Sequence, residues 1–207
     1  MEIDNQPEIV TIWNEAKSCI DRGDYDKAIE IYKYILVRYC EDNTAQEYAH
    51  AYLGDVYLNL RNIDLAEGHV NTAMGYNPEK PEYHYLLGFI YSIQHSWNKA
   101  ITEFEKCIKQ RPDDAEYLRG LGWAYFNAGA QLKGLSHLQT ALELEPSNLN
   151  ILLDLANVYL LLADFSEAKN YAAEALRLQP GNNLARQVLS KIEEFRKAHE
   201  KLKKIGK

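Results

Sequence analysis

Four prolines, Pro78, Pro112, Pro146 and Pro180, stand 34 residues apart, and the residues between them keep the same step. Counting back from Pro146 meets Ala141, Leu138, Gly134, Tyr125, Gly122 and Leu121. One period earlier the same places hold Cys107, Phe104, Ala100, Tyr91, Gly88 and Leu87, and one earlier again Ala73, Val70, Ala66, Tyr57, Gly54 and Leu53. One period later they hold Ala175, Ala172, Ala168, Tyr159, Ala156 and Leu155. A period of this length constrains the chain more than any single motif. Each repeat is one supersecondary unit that cannot bury its apolar face alone, so neighbouring units must stack. Apolar residues recur at i, i+3, i+4 and i+7, which predicts helices with one buried stripe each, as in Leu132, Leu135, Leu138 and Leu142. Gly122, Gly134 and Ala141 are predicted where helices approach closely, because a larger side chain there would overpack. The prolines mark helix ends, since proline cannot supply an interior N–H bond and disfavours helix at the residue before it.

Small, small, apolar and proline at fixed offsets of a 34-residue period resemble the tetratricopeptide repeat (TPR). The resemblance implies an all-α fold, a TPR α-solenoid built as a right-handed superhelix of antiparallel helix hairpins. It spans about Ile9 to Asn182 and divides the chain into repeats at 9–46, 47–80, 81–114, 115–148 and 149–182. Beyond them Leu184, Val188, Ile192, Phe195, Leu202 and Ile205 recur at helical spacing among charges, which predicts a capping helix over 183–205. A register that does not break argues for one TPR domain over 1–207. The first repeat departs from the pattern. Its segment Gly23-Asp24-Tyr25-Asp26-Lys27-Ala28 is similar to the family's turn and second-helix start, yet the unit runs four residues too long, with Cys40 in place of the proline and Ile35 where others have Ala or Cys. A longer second helix is expected there, followed by Thr44-Ala45-Gln46-Glu47 as a capping box. Asp4 to Pro7 reads as the first helix start, with Pro7 tolerated in the first turn.

The net charge of −7 argues against general nucleic-acid binding, which needs a basic surface to neutralise phosphates. The charge is uneven: Arg186 to Lys207 holds eight Lys or Arg against three Glu, so a local +5 follows a body of −12. The simpler reading of that tail is a solvated helix face, and the other is a weak contact with an acidic surface. The first ten residues, MEIDNQPEIV, carry acids where a secretory signal needs positive charge. The longest apolar run, Ile151 to Ala163, is too short to span a bilayer. Cys19, Cys40 and Cys107 are odd in number and lack CxxC spacing, which fits a reducing compartment. The expectation is a cytoplasmic chain without membrane insertion.

The resemblance further implies that the first helix of each repeat lines a concave face. Its groove positions hold Trp13, Lys17, Tyr48, Tyr52, Asp55, Glu82, Tyr85, Phe89, Glu116, Arg119, Trp123, Phe126 and Asn157. These are the candidate peptide-binding residues, an aromatic middle flanked by acids. Two readings of the rings stand: packing between neighbouring first helices, or anchors for a peptide. Some members of the family clamp chaperone C-terminal carboxylates with Lys, Asn and Arg at set offsets, but no register here matches, and acids such as Glu82, Glu116 and Asp154 stand where cations are required. The expected ligand is therefore a neutral, apolar or basic segment of a partner protein.

His50 with His84, and His69 with His137, recur at matching offsets, yet no Cys or carboxylate stands at ligand spacing, so no metal is expected. No HExxH, phosphate loop or GxSxG occurs, and Gly120-Leu121-Gly122 lacks the third glycine of a dinucleotide fingerprint. With no cofactor and no catalytic residues indicated, the chain reads as a non-catalytic adaptor. The alternative is a self-assembling, homo-oligomeric scaffold in which one copy's terminus or cap helix engages the next.

Overall fold

A computed structural model describes residues 7–205, and among these residues it holds eleven helices and no strand. Residues 4–6 of the expected first helix start lie outside the described residues. The helices fall into two compact units, one within Met1–His95 and the other within Ser96–Lys207.

The first unit holds α1 (Pro7–Asp21), α2 (Tyr25–Arg38), α3 (Asn43–Asn59), α4 (Ile63–Tyr76) and α5 (Pro81–Ile93). Helices α1 and α2 pair, as do α3 and α4, and α5 packs on α4. Between paired helices the chain reverses through a left-handed residue, Gly23 at φ 74° and Arg61 at φ 59°. The next N–H then reaches back five residues, Asp24 to Cys19 at 2.8 Å and Asn62 to Tyr57 at 2.9 Å. This closure satisfies carbonyls that a helix end otherwise leaves unpaired. Asp24 and Asn62 then accept N–H bonds from Lys27 and Leu65 as N-caps of α2 and α4. The core is a single cluster in which Ala16, Cys19, Ala28, Tyr32, Ile35, Leu53, Val56 and Val70 are buried.

The second unit holds α6 (Trp97–Gln110), α7 (Ala115–Asn127), α8 (Gln131–Leu144), α9 (Leu149–Leu161), α10 (Phe165–Leu178) and α11 (Asn183–Ile205). Here α7 pairs with α8 and α9 with α10, through Gly129 at φ 91° and Ala163 at φ 59°. Helix α11 packs on α10 and α9, burying Ala185, Val188 and Ile192 among Leu152, Ala172 and Ala175. The eleven described helices match in number five two-helix repeats and a terminal helix.

The small residues act as the sequence predicts. A Cβ on Gly122 would lie 2.9 Å from the Gly134 carbonyl oxygen, and one on Gly134 would lie 2.6 Å from the Gly122 oxygen. Helices α7 and α8 therefore touch backbone to backbone. Gly120 meets the Phe104 ring of α6 in the same way, at 2.8 Å.

Three expectations are corrected. The extra residues of the first repeat do not lengthen α2, which at 14 residues equals α4; they extend α3, which has 17 residues against 13 in α5. The capping box is not used either. Asp42 caps α3 by accepting from the Thr44 and Ala45 N–H groups at 2.9 and 3.0 Å. Gln46, which is neither member of the Thr44–Glu47 pair, donates to the Leu36 and Tyr39 carbonyls at the end of α2, at 2.9 and 3.1 Å. Leu132 lies in the first turn of α8 and is 85% exposed, whereas Leu138 is fully buried. In α11 likewise Leu184, Phe195 and Leu202 are exposed while Val188 and Ile192 are buried.

Gly134→Ala is expected to lower stability by about 1–3 kcal/mol, because two backbones must move apart and this outweighs the helix propensity gained. Thermal and urea unfolding measure it, with Gly68→Ala, where an added Cβ meets nothing within 4 Å, as the neutral or stabilising control.

Candidate functional site

In the first unit three aromatic rings from three helices converge. Tyr32 on α2 is wholly buried, and its ring stacks on that of Tyr52 on α3, with centroids 5.4 Å apart and planes within 4°. Trp13 on α1 tilts against both, at 5.7 Å from each. Such ring pairs contribute roughly 0.5–1.5 kcal/mol beyond the area they bury. The period explains the convergence. Trp13 and Tyr52 stand on first helices, and Tyr32 occupies the second-helix core position that holds Val70, Phe104, Leu138 and Ala172 in later repeats.

These rings wall a cavity of about 290 Å³ that Trp13, Asn14, Lys17, Tyr32, Tyr48 and Tyr52 line. Tyr48 and Tyr52, one helical turn apart, remain 42% and 44% exposed. Tyr48 is held by a network at its back. Lys80 Nζ lies 4.2 Å from the Tyr48 ring centroid and donates to Glu47 at 3.0 Å and to the Tyr83 hydroxyl at 3.1 Å. The Tyr83 hydroxyl in turn donates to Glu47 at 2.6 Å. Burial alone would raise the Glu47 pKa, but bonds from Tyr83 and Lys80 outweigh it and hold the carboxyl below its usual range.

Beside the rings the electrostatics differ. Asp55 follows Tyr52 by three residues on α3 and is half-buried, and burial raises its pKa. Its charge is close enough to raise the Tyr32 pKa further, after burial and Tyr52 have raised it. Among the described residues no cation or donor side chain bonds this carboxylate. Lys17 lines the cavity with its ammonium exposed and, among the described residues, in no ion pair.

The sequence-predicted residues thus divide. Trp13, Lys17, Tyr48 and Tyr52 line the cavity, with Asp55 next to them on α3. Glu82, Tyr85 and Phe89 lie on α5 outside its lining, with Phe89 exposed. In the second unit Glu116 and Arg119 are engaged with each other. Arg119 Nε donates to Glu116 at 2.9 Å, a second guanidinium nitrogen bonds the same carboxylate, and a third donates to Asp154 at 2.8 Å. Burial opposes the Arg119 charge, but the two carboxylates more than offset it and raise its pKa. Trp123 is half-buried against the core of that unit, and Asn157 is half-buried on α9. Phe126 is corrected: at 6% exposure it belongs to that core, in contact range of Gly134, and it presents no groove surface. Tyr32 and Asn14 were missed. Tyr32 sits on a second helix, outside the first-helix positions searched, although an aromatic hydroxyl at an otherwise apolar core position is a readable signal.

The repeated histidines behave as packing groups. His50 and His69 bring their Nδ1 atoms within 2.8 Å, so one donates to the other, and Tyr57 stacks on His69 at 5.4 Å. Burial lowers the pKa of both. Among the described residues no group of three or more His, Cys, Asp or Glu could hold a metal ion. Cys19 and Cys107 are buried and Cys40 is exposed, and among the described residues none of the three forms a disulfide. No described helix is long and apolar enough to cross a membrane.

Two family models, each described as Tetratricopeptide repeat, match the chain, one over residues 20–88 and 133–192 and the other over 94–148. The chain belongs to the tetratricopeptide repeat family. This TPR protein matches no curated protein. Solved structures similar to it include TTC0263, a thermophilic TPR protein in Thermus thermophilus, at a TM-score of 0.74 and 20% identity over 88% of this chain and 97% of that one. YrrB, a TPR protein with an unusual peptide-binding site, has a TM-score of 0.60 and 19% identity over 85% and 89%. A chain of the APC/C hetero-tetramer Cut9-Hcn1 has a TM-score of 0.71 and 22% identity over 86% of this chain, which spans about a third (34%) of that longer one. At these identities the likeness is one of fold alone.

Asp55→Asn is expected to stabilise the unliganded protein near neutral pH. A carboxylate whose folded pKa is raised favours the folded state below its unfolded pKa and loses that contribution as pH rises through the folded value. The gain from the substitution should therefore appear at pH 7 and vanish at about pH 3, below the usual Asp pKa. Urea unfolding at the two pH values measures it.

Proposed function

We propose that the protein is a non-catalytic adaptor whose Trp13–Tyr32–Tyr48–Tyr52 cavity anchors one apolar side chain of a partner segment, with a basic neighbour of that side chain on Asp55. The observation that carries this reading is an open aromatic cavity next to a half-buried carboxylate that no described side chain bonds. At about 290 Å³ the space is at the lower edge of small-molecule pockets, which run about 300–1,000 Å³, and suits a single large side chain. Exposed aromatics of this kind are the usual anchors of interfaces. A basic residue reaching Asp55 would offset the desolvation of both groups with a charge-assisted hydrogen bond. Asn14 and Lys17 supply donors for the carbonyls of the peptide backbone. Helices α1, α2 and α3 all contribute to the wall, so the anchor exists only when the first two repeats are stacked. Three cysteines, odd in number and without CxxC spacing, fit a reducing, cytoplasmic location.

Fluorescence-anisotropy titration with short labelled peptides of the pattern aromatic-Arg, aromatic-Ala and aromatic-Glu tests the reading. Binding is expected to follow that order. Tyr52→Ala should weaken the aromatic-Arg peptide by roughly 2 kcal/mol, about 30-fold, and Asp55→Asn should abolish the preference for Arg while leaving binding of the Ala peptide unchanged. Tighter binding of the Glu peptide, lost in Lys17→Ala, would overturn the role given to Asp55. Equal binding by wild type and Tyr52→Ala would overturn the cavity.

A further inference from the structure

The hairpin of α3 and α4 is closed from inside by two titratable side chains. His50 on α3 and His69 on α4 bring their Nδ1 atoms to 2.8 Å, and with the ring centroids 5.1 Å apart the two nitrogens lie between the rings and face each other. Both side chains are half-buried. The pair is local to this hairpin. The matching places of the other repeats hold Ile12 and Ile31, His84 and Glu103, Leu118 and His137, and Leu152 and Tyr171, so only the second repeat carries histidine at both.

A neutral imidazole has one N–H donor and one bare nitrogen, whereas an imidazolium donates from both. The uncharged pair therefore makes one N–H···N bond across the gap. A first added proton goes to Nε2 of the donor ring and leaves that bond in place. A second must go to the accepting Nδ1, which sets two N–H groups against each other with no acceptor between them and two positive charges in a half-buried place. The surroundings do not offset that charge. Lys33 on α2 adds its positive field at His69, and Tyr57 on α3 stacks on the His69 ring. Among the described residues no charged group of α5 acts on either ring, and no carboxylate of these helices bonds one.

We infer that the His50–His69 bond is a pH-sensitive latch that holds α4 on α3 near neutral pH and releases it in acid, and with it the support behind Tyr48 and Tyr52. His50 stands two residues from each of these tyrosines, so at 100° per residue it lies on the far side of α3 from both. The helix is thus gripped by α4 on one side and presents its rings on the other. Burial lowers the pKa of both imidazoles in the folded protein, so the folded state takes up fewer protons than the opened one as pH falls. The latch is complete above the ordinary histidine value of about 6.5 and weakens as pH drops below it. It needs no ligand and stands independently of the peptide-binding reading.

Hydrogen exchange of the α3 and α4 amides at pH 7 and pH 5, corrected for the intrinsic rate at each pH, tests the latch in the full chain. The comparison is with the double variant His50→Leu, His69→Tyr, which gives the second repeat the pair that the fifth carries, where Tyr171 stacks on Tyr159 at 5.5 Å. The closed pair takes one proton and the separated rings take two at a pKa of about 6.5, so opening of the wild type should gain about tenfold or more over that of the variant between the two pH values. Asp55 is present in both proteins, and its titration cancels in the comparison. The amides of α9 and α10 should change equally in the two. A change at α3 and α4 of the same size in both proteins, or a wild-type excess that α9 and α10 share, overturns the inference. Nitrogen NMR of the wild-type imidazoles gives a second reading that needs no substitution. The pair is expected to titrate in two separated steps, and two rings that titrate together near pH 6.5, about the ordinary value, would show that no latch joins them.

Discussion

The close approach of paired helices at small residues is the constraint on which the rest depends. Gly122 and Gly134 bring the backbones of α7 and α8 together, and in the first unit Gly54 would place a Cβ 2.6 Å from a Val70 methyl. Only when paired helices sit this near does one apolar stripe per helix suffice for a core, because the stripe of each helix then reaches two neighbours. The left-handed residue and the N-cap at each turn fix the angle at which the chain re-enters. Arg61 and Ala163 adopt positive φ without being glycine, so the hairpin closure outweighs a backbone cost of about 1–2 kcal/mol at each.

That same packing decides where chemistry is left over. In the second unit the charged groups on first helices are spent on one another, Arg119 with Glu116 and Asp154, and Phe126 is drawn into the core. In the first unit the position that later repeats fill with Val, Phe, Leu or Ala holds Tyr32. Its ring completes a wall with Trp13 and Tyr52, while Asp55 beside it is half-buried and raised in pKa by burial. The repeats share one architecture, yet their outward residues differ, and function resides in that difference.

Much of this was legible in the sequence because a 34-residue period carries its own register: Gly122 and Gly134 could be placed at close approaches, Cys19 and Cys107 in the core, and Trp13, Tyr48 and Tyr52 around one cavity. What the period could not decide was local competition. Asp42, one residue ahead of α3, takes the capping role that the Thr44–Glu47 pattern predicts, and the Glu47 carboxylate instead accepts from Lys80 and Tyr83. Leu132 has the spacing of a core residue but lies on the opposite side of α8 from the buried Gly134 and Ala141, through which that helix meets α7. Phe126 and Tyr32 show the same limit from opposite sides. Offsets tell which face a residue occupies, whereas side-chain length decides whether it fills the core or reaches through to a cavity.

The central claim is that the ligand site is the aromatic cavity of the first unit. A two-dimensional NMR titration with the aromatic-Arg peptide tests it most directly. The account predicts that the Trp13 indole, the Asn14 side-chain amide and the backbone amides around Tyr48 to Asp55 shift together and saturate at one peptide per protein, while the amides around Arg119 and Trp123 stay in place. Shifts centred on Arg119 and Trp123 with Trp13 unmoved would contradict it.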